Sequence, residues 1–195
     1  MCGIVGYIGN RPVPQTLFMG LRRLEYRGYD SAGIAIFDGE KIALLKRKGN
    51  LDNMEEHLDW FSGDGNMGIA HTRWATHGPP SMENAHPHLD CSEEIAIAHN
   101  GIIENFRALR QELRDQGREF TSDTDSEVVV HLVEMHLAAG HSLEAAVREA
   151  LTHIKGASAF VFISKHEPDR LVAARLGNAG GLTVGLGDGE MFLAS

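Results

Sequence analysis

Cys2 is the residue around which a catalytic site could be organised in this sequence. If Met1 is removed, which the small side chain at position 2 favours, Cys2 carries both a thiol and a free α-amine. A free thiol has a pKa of about 8.5 and needs a base to become the attacking thiolate near neutrality. An α-amine, with a pKa of about 8, is partly unprotonated and can be that base. One residue could thus supply nucleophile and base, and the alternative is a small buried cysteine on an edge strand.

The run behind Cys2, residues 3–9, consists of glycines and β-branched or aromatic residues and predicts a buried strand. Most chain termini fray, whereas such a strand would hold the thiol in one place. Retention of Met1 would block the α-amine of Cys2 and abolish the proposed chemistry.

Three other positions carry groups that could handle a substrate. Asn100 and Gly101 follow a predicted strand and could donate a side-chain and a backbone N–H to an oxyanion, although a simple turn explains the pair as well. Arg73 could bind a carboxylate through two parallel hydrogen bonds, and Asp125 could bind an ammonium group. A surface charge for Arg73 and a helix-start residue for Asp125 are the alternatives.

Apolar periodicity predicts the elements that must position these residues. Strands are expected at 3–9, 34–37, 41–45, 67–72, 94–99, 157–164, 171–174, 182–186 and 191–194. Helices are expected at 12–24, 51–61 (ended by residues 63–66), 105–116, 124–139 and 143–154. Asp38-Gly39 predicts a hairpin turn, and 73–90 a long polar loop of the kind that is often functional. Paired helices between antiparallel strands predict an α+β sandwich of two sheets faced with helices.

Composition excludes several classes of partner. At 195 residues the chain is most simply one domain, 1–195. The formal net charge of −9 argues against nucleic acid and anionic membrane as main partners. Neither a secretion signal nor an apolar run of about 18 residues is present, so we expect a cytoplasmic protein. The chain stops on an apolar strand without a closing turn, which suggests that it is cut from a longer protein.

The cysteines and histidines predict neither a disulfide framework nor a metal site. Cys2 and Cys91 are the two cysteines, and a reducing compartment would keep both as thiols. His86-Pro87-His88 with Cys91 nearby fits no common zinc spacing, and the proline would splay the imidazoles. We therefore expect no metal and no other cofactor.

Five sequence blocks resemble a known family. They are CGIVGYIG at 2–9, LRRLEYRGYDSAG at 21–33, GIAHTRWATHG at 68–78, NAHPH at 84–88 and HNGIIEN at 99–105, with SDTDSE at 122–127 behind them. Across essentially its whole length the chain resembles the class II glutamine amidotransferases, and in particular the glutaminase domain of the glutamine–fructose-6-phosphate transaminases. The blocks EYRGYDSAG and HTRWATHG discriminate this group from the other amidotransferases that begin with CGIVG.

The resemblance implies a fold and a reaction. The fold would be the four-layer α/β/β/α sandwich of the N-terminal nucleophile (Ntn) hydrolases. Cys2 would attack the side-chain amide of glutamine and form a γ-glutamyl thioester with release of ammonia, after which water would free glutamate. Asn100 and Gly101 would form the oxyanion hole.

The resemblance also implies which residues bind glutamine and which support the nucleophile. The expected glutamine-binding residues are Arg73, Trp74, Thr76, His77, His86 and Asp125. Arg27 and Gly28 match the part of the family pattern that packs beside the nucleophile.

Family enzymes join this domain to a sugar-phosphate isomerase part, which is missing from this sequence. In the full enzyme, expected to be a homo-oligomer, ammonia would convert fructose 6-phosphate to glucosamine 6-phosphate; this chain alone would hydrolyse glutamine. Two alternatives stay open: a stand-alone class II glutaminase that feeds a separate partner, and a non-catalytic glutamine-binding module. Segment 175–182 departs from the family pattern and contains none of the predicted site residues.

Overall fold

The computed structural model describes residues 2–58, 61 and 65–195. Within these residues the helices are α1 (Val13–Leu24), α2 (Asp52–Leu58), α3 (Phe106–Asp115), α4 (Glu127–Ala138) and α5 (Leu143–Thr152). The strands are β1 (Gly3–Ile8), β2 (Ser31–Phe37), β3 (Ile42–Lys48), β4 (Met67–Arg73), β5 (His88–Leu89), β6 (Ile95–Gly101), β7 (Ser158–Ser164), β8 (Val172–Leu176), β9 (Thr183–Gly187) and β10 (Glu190–Ala194). No helix in these ranges is both long and apolar enough to cross a membrane.

The strands form two antiparallel sheets. One has six strands in the order β3-β2-β4-β1-β10-β9, and the other has four in the order β5-β6-β7-β8. Gly3 lies opposite Thr72 in the first sheet, so the start of β1 is next to the end of β4. The end of β6 pairs with the start of β7, where Gly101 lies opposite Ser158.

Three apolar cores separate four layers. Alternate residues of β1 point to opposite faces of the sheet, as the pleat requires: Val5 and Tyr7 pack against α1 and α2, whereas Ile4 packs between the two sheets. The third core lies between the four-stranded sheet and helices α3, α4 and α5. The order is helices, sheet, sheet, helices, which confirms the predicted α+β, α/β/β/α sandwich.

Local sequence signals account for several element ends. In the β2–β3 hairpin Asp38 Oδ1 accepts from the backbone N–H of Glu40 and Lys41 at 3.0 and 2.8 Å, and Gly39 has a φ of +102°. Ser142 caps α5, because its Oγ accepts from Ala145 N at 3.3 Å.

Two helix boundaries differ from the sequence prediction. The helix predicted over 51–61 ends at Leu58; residues 59, 60 and 62–64, including part of its predicted terminating segment, lie outside the described residues. The helix predicted from Thr124 begins at Glu127. The preceding polar side chains are used for long-range contacts instead of capping, as Asp125 illustrates by accepting from Ile103 N at 2.7 Å.

Candidate active site

The predicted site residues converge on a cavity of 320 Å³ at one end of the two sheets. Nine of the predicted residues line it: Cys2, Arg27, Arg73, Trp74, Thr76, His86, Asn100, Gly101 and Asp125. His77 and Gly28 do not line the cavity; they pack just behind its wall. The first sheet brings Cys2 and Arg73 to this end through β1 and β4, and the second sheet brings Asn100 and Gly101 through β6.

The Cys2 thiol is held by the backbone of Trp74, the residue that follows β4. Its Sγ accepts from Trp74 N at 3.2 Å and lies 3.5 Å from Trp74 O. Burial raises the pKa of the Cys2 thiol, and the Trp74 N–H and the charge of Arg73 oppose that rise without cancelling it. A thiol with a raised pKa needs a nearby base to react at neutral pH.

Asn100 faces Cys2 with its amide nitrogen. Nδ2 donates to Cys2 O and to Ser195 Oγ, both at 3.2 Å. The opposite side of the amide is fixed by His71, whose Nε2 lies 3.1 Å from Asn100 Oδ1 and 3.0 Å from His99 O. Both of these oxygens are acceptors, which assigns the proton to Nε2 of His71 and directs the Asn100 amide nitrogen at the cavity.

Gly101 can only be glycine. Its φ is +135°, and a Cβ at this position would lie 2.2 Å from Ala157 O. The backbone can therefore adopt this positive φ at position 101 only because the residue has no side chain.

Arg73 is buried, and its guanidinium donates hydrogen bonds to backbone oxygens of the loop that follows it. Nη2 donates to His77 O and, at 3.2 Å, to Gly78 O, and Nη1 lies 3.4 Å from Pro79 O. The guanidinium thus shapes the polar loop that carries Trp74 and Thr76. Trp74 is 47% exposed and meets the ring of Tyr29 edge-on at 5.8 Å.

Asp125 presents one carboxylate oxygen to the cavity wall. Oδ2 accepts from Ile103 N at 2.7 Å, and Oδ1 lies 3.8 Å from Nδ1 of His77. Burial raises the pKa of Asp125, against the opposing effects of the Ile103 N–H and nearby positive charge. The ring of His77 packs edge-on against Phe106 at 5.3 Å, so this histidine supports Asp125 from behind.

Arg27 and Gly28 form the wall beside the nucleophile. Thr72 Oγ1 donates to Gly28 O, and a Cβ on Gly28 would lie 2.6 Å from the carbonyl carbon of Arg73. Arg27 Nη1 lies 3.4 Å from Ser195 Oγ. Gly28 is therefore required for close approach of two backbones.

A cluster of buried imidazoles lies under the cavity. His86 stacks on His71 at 4.3 Å and meets His88 edge-on at 4.4 Å, and its Nε2 is 3.2 Å from Ser126 Oγ. Burial lowers the pKa of His71 and of His99 to about 3 and that of His86 and His88 well below the ordinary value. These rings are neutral at pH 7 and act as hydrogen-bonding supports.

Several cavity residues were not predicted from the sequence. His99 lines the cavity and lies inside the block HNGIIEN, so its position next to Asn100 was an available signal. His71 holds Asn100 but does not line the cavity. Residues 179–181, in the segment that departs from the family pattern, also line the cavity, as does Ser195. Nothing local in the sequence connects those positions with Cys2, because sheet pairing over the whole chain brings them there.

The comparisons with known proteins agree with this geometry. Residues 71–194 match the family described as the glutamine amidotransferase domain, so the chain belongs to that family. Among solved structures, the glutamine phosphoribosylpyrophosphate amidotransferase of B. subtilis superimposes with a TM-score of 0.83 at 30% identity, covering 99% of this chain and 41% of that one. A second chain, described as the allosteric regulatory enzyme of purine biosynthesis, gives a TM-score of 0.84 at 32% identity over 100% of this chain and 42% of its own. The fold is thus that of the Ntn-type amidotransferases.

The curated relatives point to one group within the family. The glutamine–fructose-6-phosphate aminotransferase (isomerizing) of Chlorobaculum tepidum is 54% identical over 201 residues, which cover 100% of this chain and 32% of the relative. The enzyme of the same name from Thermococcus kodakarensis is 48% identical over 100% of this chain and 32% of its own length. The chain therefore spans about a third of these relatives, and the recognition of a glutamine amidotransferase domain from sequence blocks is confirmed.

Proposed function

We propose that this domain hydrolyses L-glutamine to glutamate and ammonia through a γ-glutamyl thioester on Cys2. The observation that carries the proposal is that Cys2 and Asn100 line one cavity, where Asn100 Nδ2 donates to the backbone oxygen of Cys2 at 3.2 Å. Burial raises the pKa of the Cys2 thiol, so the reaction needs a base, and we assign that role to the α-amine of Cys2.

The chemistry proceeds in two balanced halves. The α-amine of Cys2 takes the thiol proton, and Sγ attacks the carbonyl carbon of the glutamine side-chain amide to give a tetrahedral oxyanion. Asn100 Nδ2 and the backbone N–H of Gly101 stabilise that oxygen, with one present Asn100 contact exchanged for it. Collapse breaks the C–N bond, and the proton held by the α-amine passes to the leaving ammonia. Water then attacks the thioester, releasing glutamate and returning the proton to sulfur.

Substrate binding follows from the charges around the cavity. Arg73, buried at the base of the loop, is proposed to attract the glutamine carboxylate, and the free Oδ1 of Asp125 the ammonium group. Trp74, Thr76, His77 and His86 shape the pocket, and Arg27 with Gly28 supports the nucleophile. These roles rest on position in the cavity wall or immediately behind it.

For the longer protein, we propose that ammonia is passed to fructose 6-phosphate to make glucosamine 6-phosphate in an attached isomerase part. The names of the relatives and the third of their length that this chain covers support it over a stand-alone glutaminase or a non-catalytic module. A cytoplasmic location and a homo-oligomeric full-length enzyme remain predictions from the sequence.

The deciding measurement is the intact mass of the purified chain before and after incubation with 6-diazo-5-oxo-norleucine, an electrophilic glutamine analogue. We expect a mass without Met1 that gains one adduct, located on Cys2 by peptide mapping and absent from a Cys2→Ala variant. The same preparation should release glutamate from glutamine. Adduct formation at Cys91 instead, or a processed chain that binds glutamine without turnover, would contradict the proposed function.

A further inference from the structure

A second group of chemically active side chains lies where α4 packs beside β5, the edge strand of the four-stranded sheet. Cys91 follows β5, and His131 and Glu134 are three residues apart on the same face of α4. Cys91 and His131 border a separate cavity of 390 Å³ that shares no lining residue with the glutamine cavity. The proposed function leaves this group without a role.

The three ligand-type atoms are spaced as they would be around one metal ion. Cys91 Sγ is 3.7 Å from Nδ1 of His131, Nδ1 is 3.4 Å from Glu134 Oε2, and all three atoms lie within 4.8 Å of one another. A charge-assisted N–H···O bond would be about 2.7–2.9 Å. Tetrahedral zinc, with bonds of about 2.3 Å to sulfur and 2.0–2.1 Å to nitrogen or oxygen, separates S from N by about 3.6 Å and N from O by about 3.3 Å. The S-to-N distance of 3.7 Å and the N-to-O distance of 3.4 Å match those expected around tetrahedral zinc.

The other side of His131 has the carboxylate that a metal-binding histidine uses. His131 is 1% exposed, and its Nε2 has no hydrogen-bond partner in the described part of the chain. Glu127 Oε1 lies 3.8 Å from that nitrogen, and the same oxygen is held in place by Thr121 N at 2.8 Å. Ligating histidines almost always donate their second ring N–H to such a carboxylate, so a small movement of His131 completes the arrangement.

The neighbouring Arg118 leaves one carboxylate oxygen of Glu134 available to bind an ion. Arg118 Nη1 pairs with Glu134 Oε1 at 2.7 Å, and so leaves Oε2 facing Nδ1 of His131. Cys91 is exposed, which gives an ion and a water ligand access from solvent.

We propose that Cys91 Sγ, His131 Nδ1 and Glu134 Oε2 bind a divalent transition-metal ion of the zinc class, with water as the fourth ligand. Binding replaces the thiol proton of Cys91, which leaves to solvent, by the metal. The ion would join the turn after β5 to α4, whose preceding residues Asp125 and Ser126 line the glutamine cavity. This differs from the sequence expectation of no metal, which considered Cys91 with His86 and His88; the partner is instead a histidine forty residues further on.

The test is a titration with Co²⁺ in a Cys2→Ala background, because the thiol and α-amine of Cys2 could chelate metal themselves. We expect a thiolate-to-cobalt charge-transfer band in the near ultraviolet and tetrahedral d–d bands in the visible at one equivalent. Zn²⁺ should displace both sets of bands, and Cys91→Ser should abolish the charge-transfer band. Absence of that band in the Cys2→Ala protein would overturn the proposal.

Two matched variants separate ligation from general electrostatics. Glu134→Gln and Arg118→Gln break the same ion pair, but only the first removes a ligand. Affinity for Co²⁺ should fall in Glu134→Gln by more than the roughly 10- to 100-fold typical of outer-shell changes, and should be kept or increased in Arg118→Gln. Equal losses in both variants would contradict ligation by Glu134. His166→Ala, which removes an exposed histidine paired with Glu94 at 2.7 Å, should leave the bands unchanged.

Discussion

At the scale of single residues, the site depends on which way one amide points. His71 donates to Asn100 Oδ1, so Nδ2 is directed toward Cys2 before glutamine binds. Preorganised donors of this kind are worth most when their orientation is already fixed before charge develops. The sequence indicated Asn100 through the block HNGIIEN, but the role of His71 depends on the packing of one sheet against the other and could not be inferred from spacing.

Asn100→Asp is expected to lower kcat for glutamine hydrolysis by about 10²–10³-fold, because a carboxylate cannot donate to the oxyanion. His71 can still donate to the new side chain, so the midpoint of thermal unfolding should change little. Steady-state kinetics and thermal denaturation measure the two effects. Asn105→Asp is the matched control and should keep full activity, because this half-buried amide does not line the cavity and its Oδ1 accepts from Lys155 N. Unchanged kcat in Asn100→Asp would contradict the oxyanion role.

At the scale of elements, the sequence predicted the types and order of helices and strands because their apolar periodicity matches the faces that are buried. The predicted helix boundary was wrong where polar side chains make long-range contacts. The helix predicted from Thr124 begins at Glu127, because Asp125 and Ser126 bond to Ile103 and His99 instead of capping the helix. The loop after β4 could be recognised as functional from its length, but its shape comes from Arg73 and from the tight contact at Gly28.

Gly28→Ala is expected to destabilise the domain by about 1–3 kcal/mol, the usual cost of overpacking a tight contact. The new Cβ would meet the backbone of Arg73 and Trp74 at 2.6 and 2.8 Å, and neither can move without shifting β4. The free energy of unfolding from urea denaturation measures the change. Gly180→Ala is the control, because nothing lies within 4 Å of a Cβ there. Equal stabilities for both variants would show that the contact at Gly28 is relaxed.

At the scale of the whole molecule, three cores hold four layers together, and a polar histidine cluster lies within this frame near the cavity. Its members come from three separate segments, at 71, 86–88 and 99. The layered architecture could be predicted because apolar patterns are local. The histidine cluster could not, since each histidine alone is compatible with an exposed position.

The buried histidines predict that stability falls on acidification. The pKa of His71 and His99 is about 3 in the folded protein and about 6.5 when unfolded. Between these values the unfolded chain binds more protons, so the free energy of unfolding falls as pH drops below about 6.5, by up to about 1.4 kcal/mol per pH unit for each such histidine. His131, whose pKa is raised by its glutamate contacts against the effect of burial, partly offsets this. Urea denaturation from pH 7 to pH 5 measures the slope, and a flat profile would contradict neutral buried imidazoles.

Cys2 directly precedes β1 of the six-stranded sheet and Asn100 lies in β6 of the four-stranded sheet, so the attacking atom and the group that stabilises the oxyanion are held by different layers. Their separation is therefore set by the thickness of the apolar filling between the sheets, to which Ile4, Ala98 and Val161 contribute. Protein interiors are packed densely enough that one methylene changes such a thickness. Side chains that do not contact glutamine thus set the distance between Cys2 and Asn100, and we expect the turnover rate to depend on their volume.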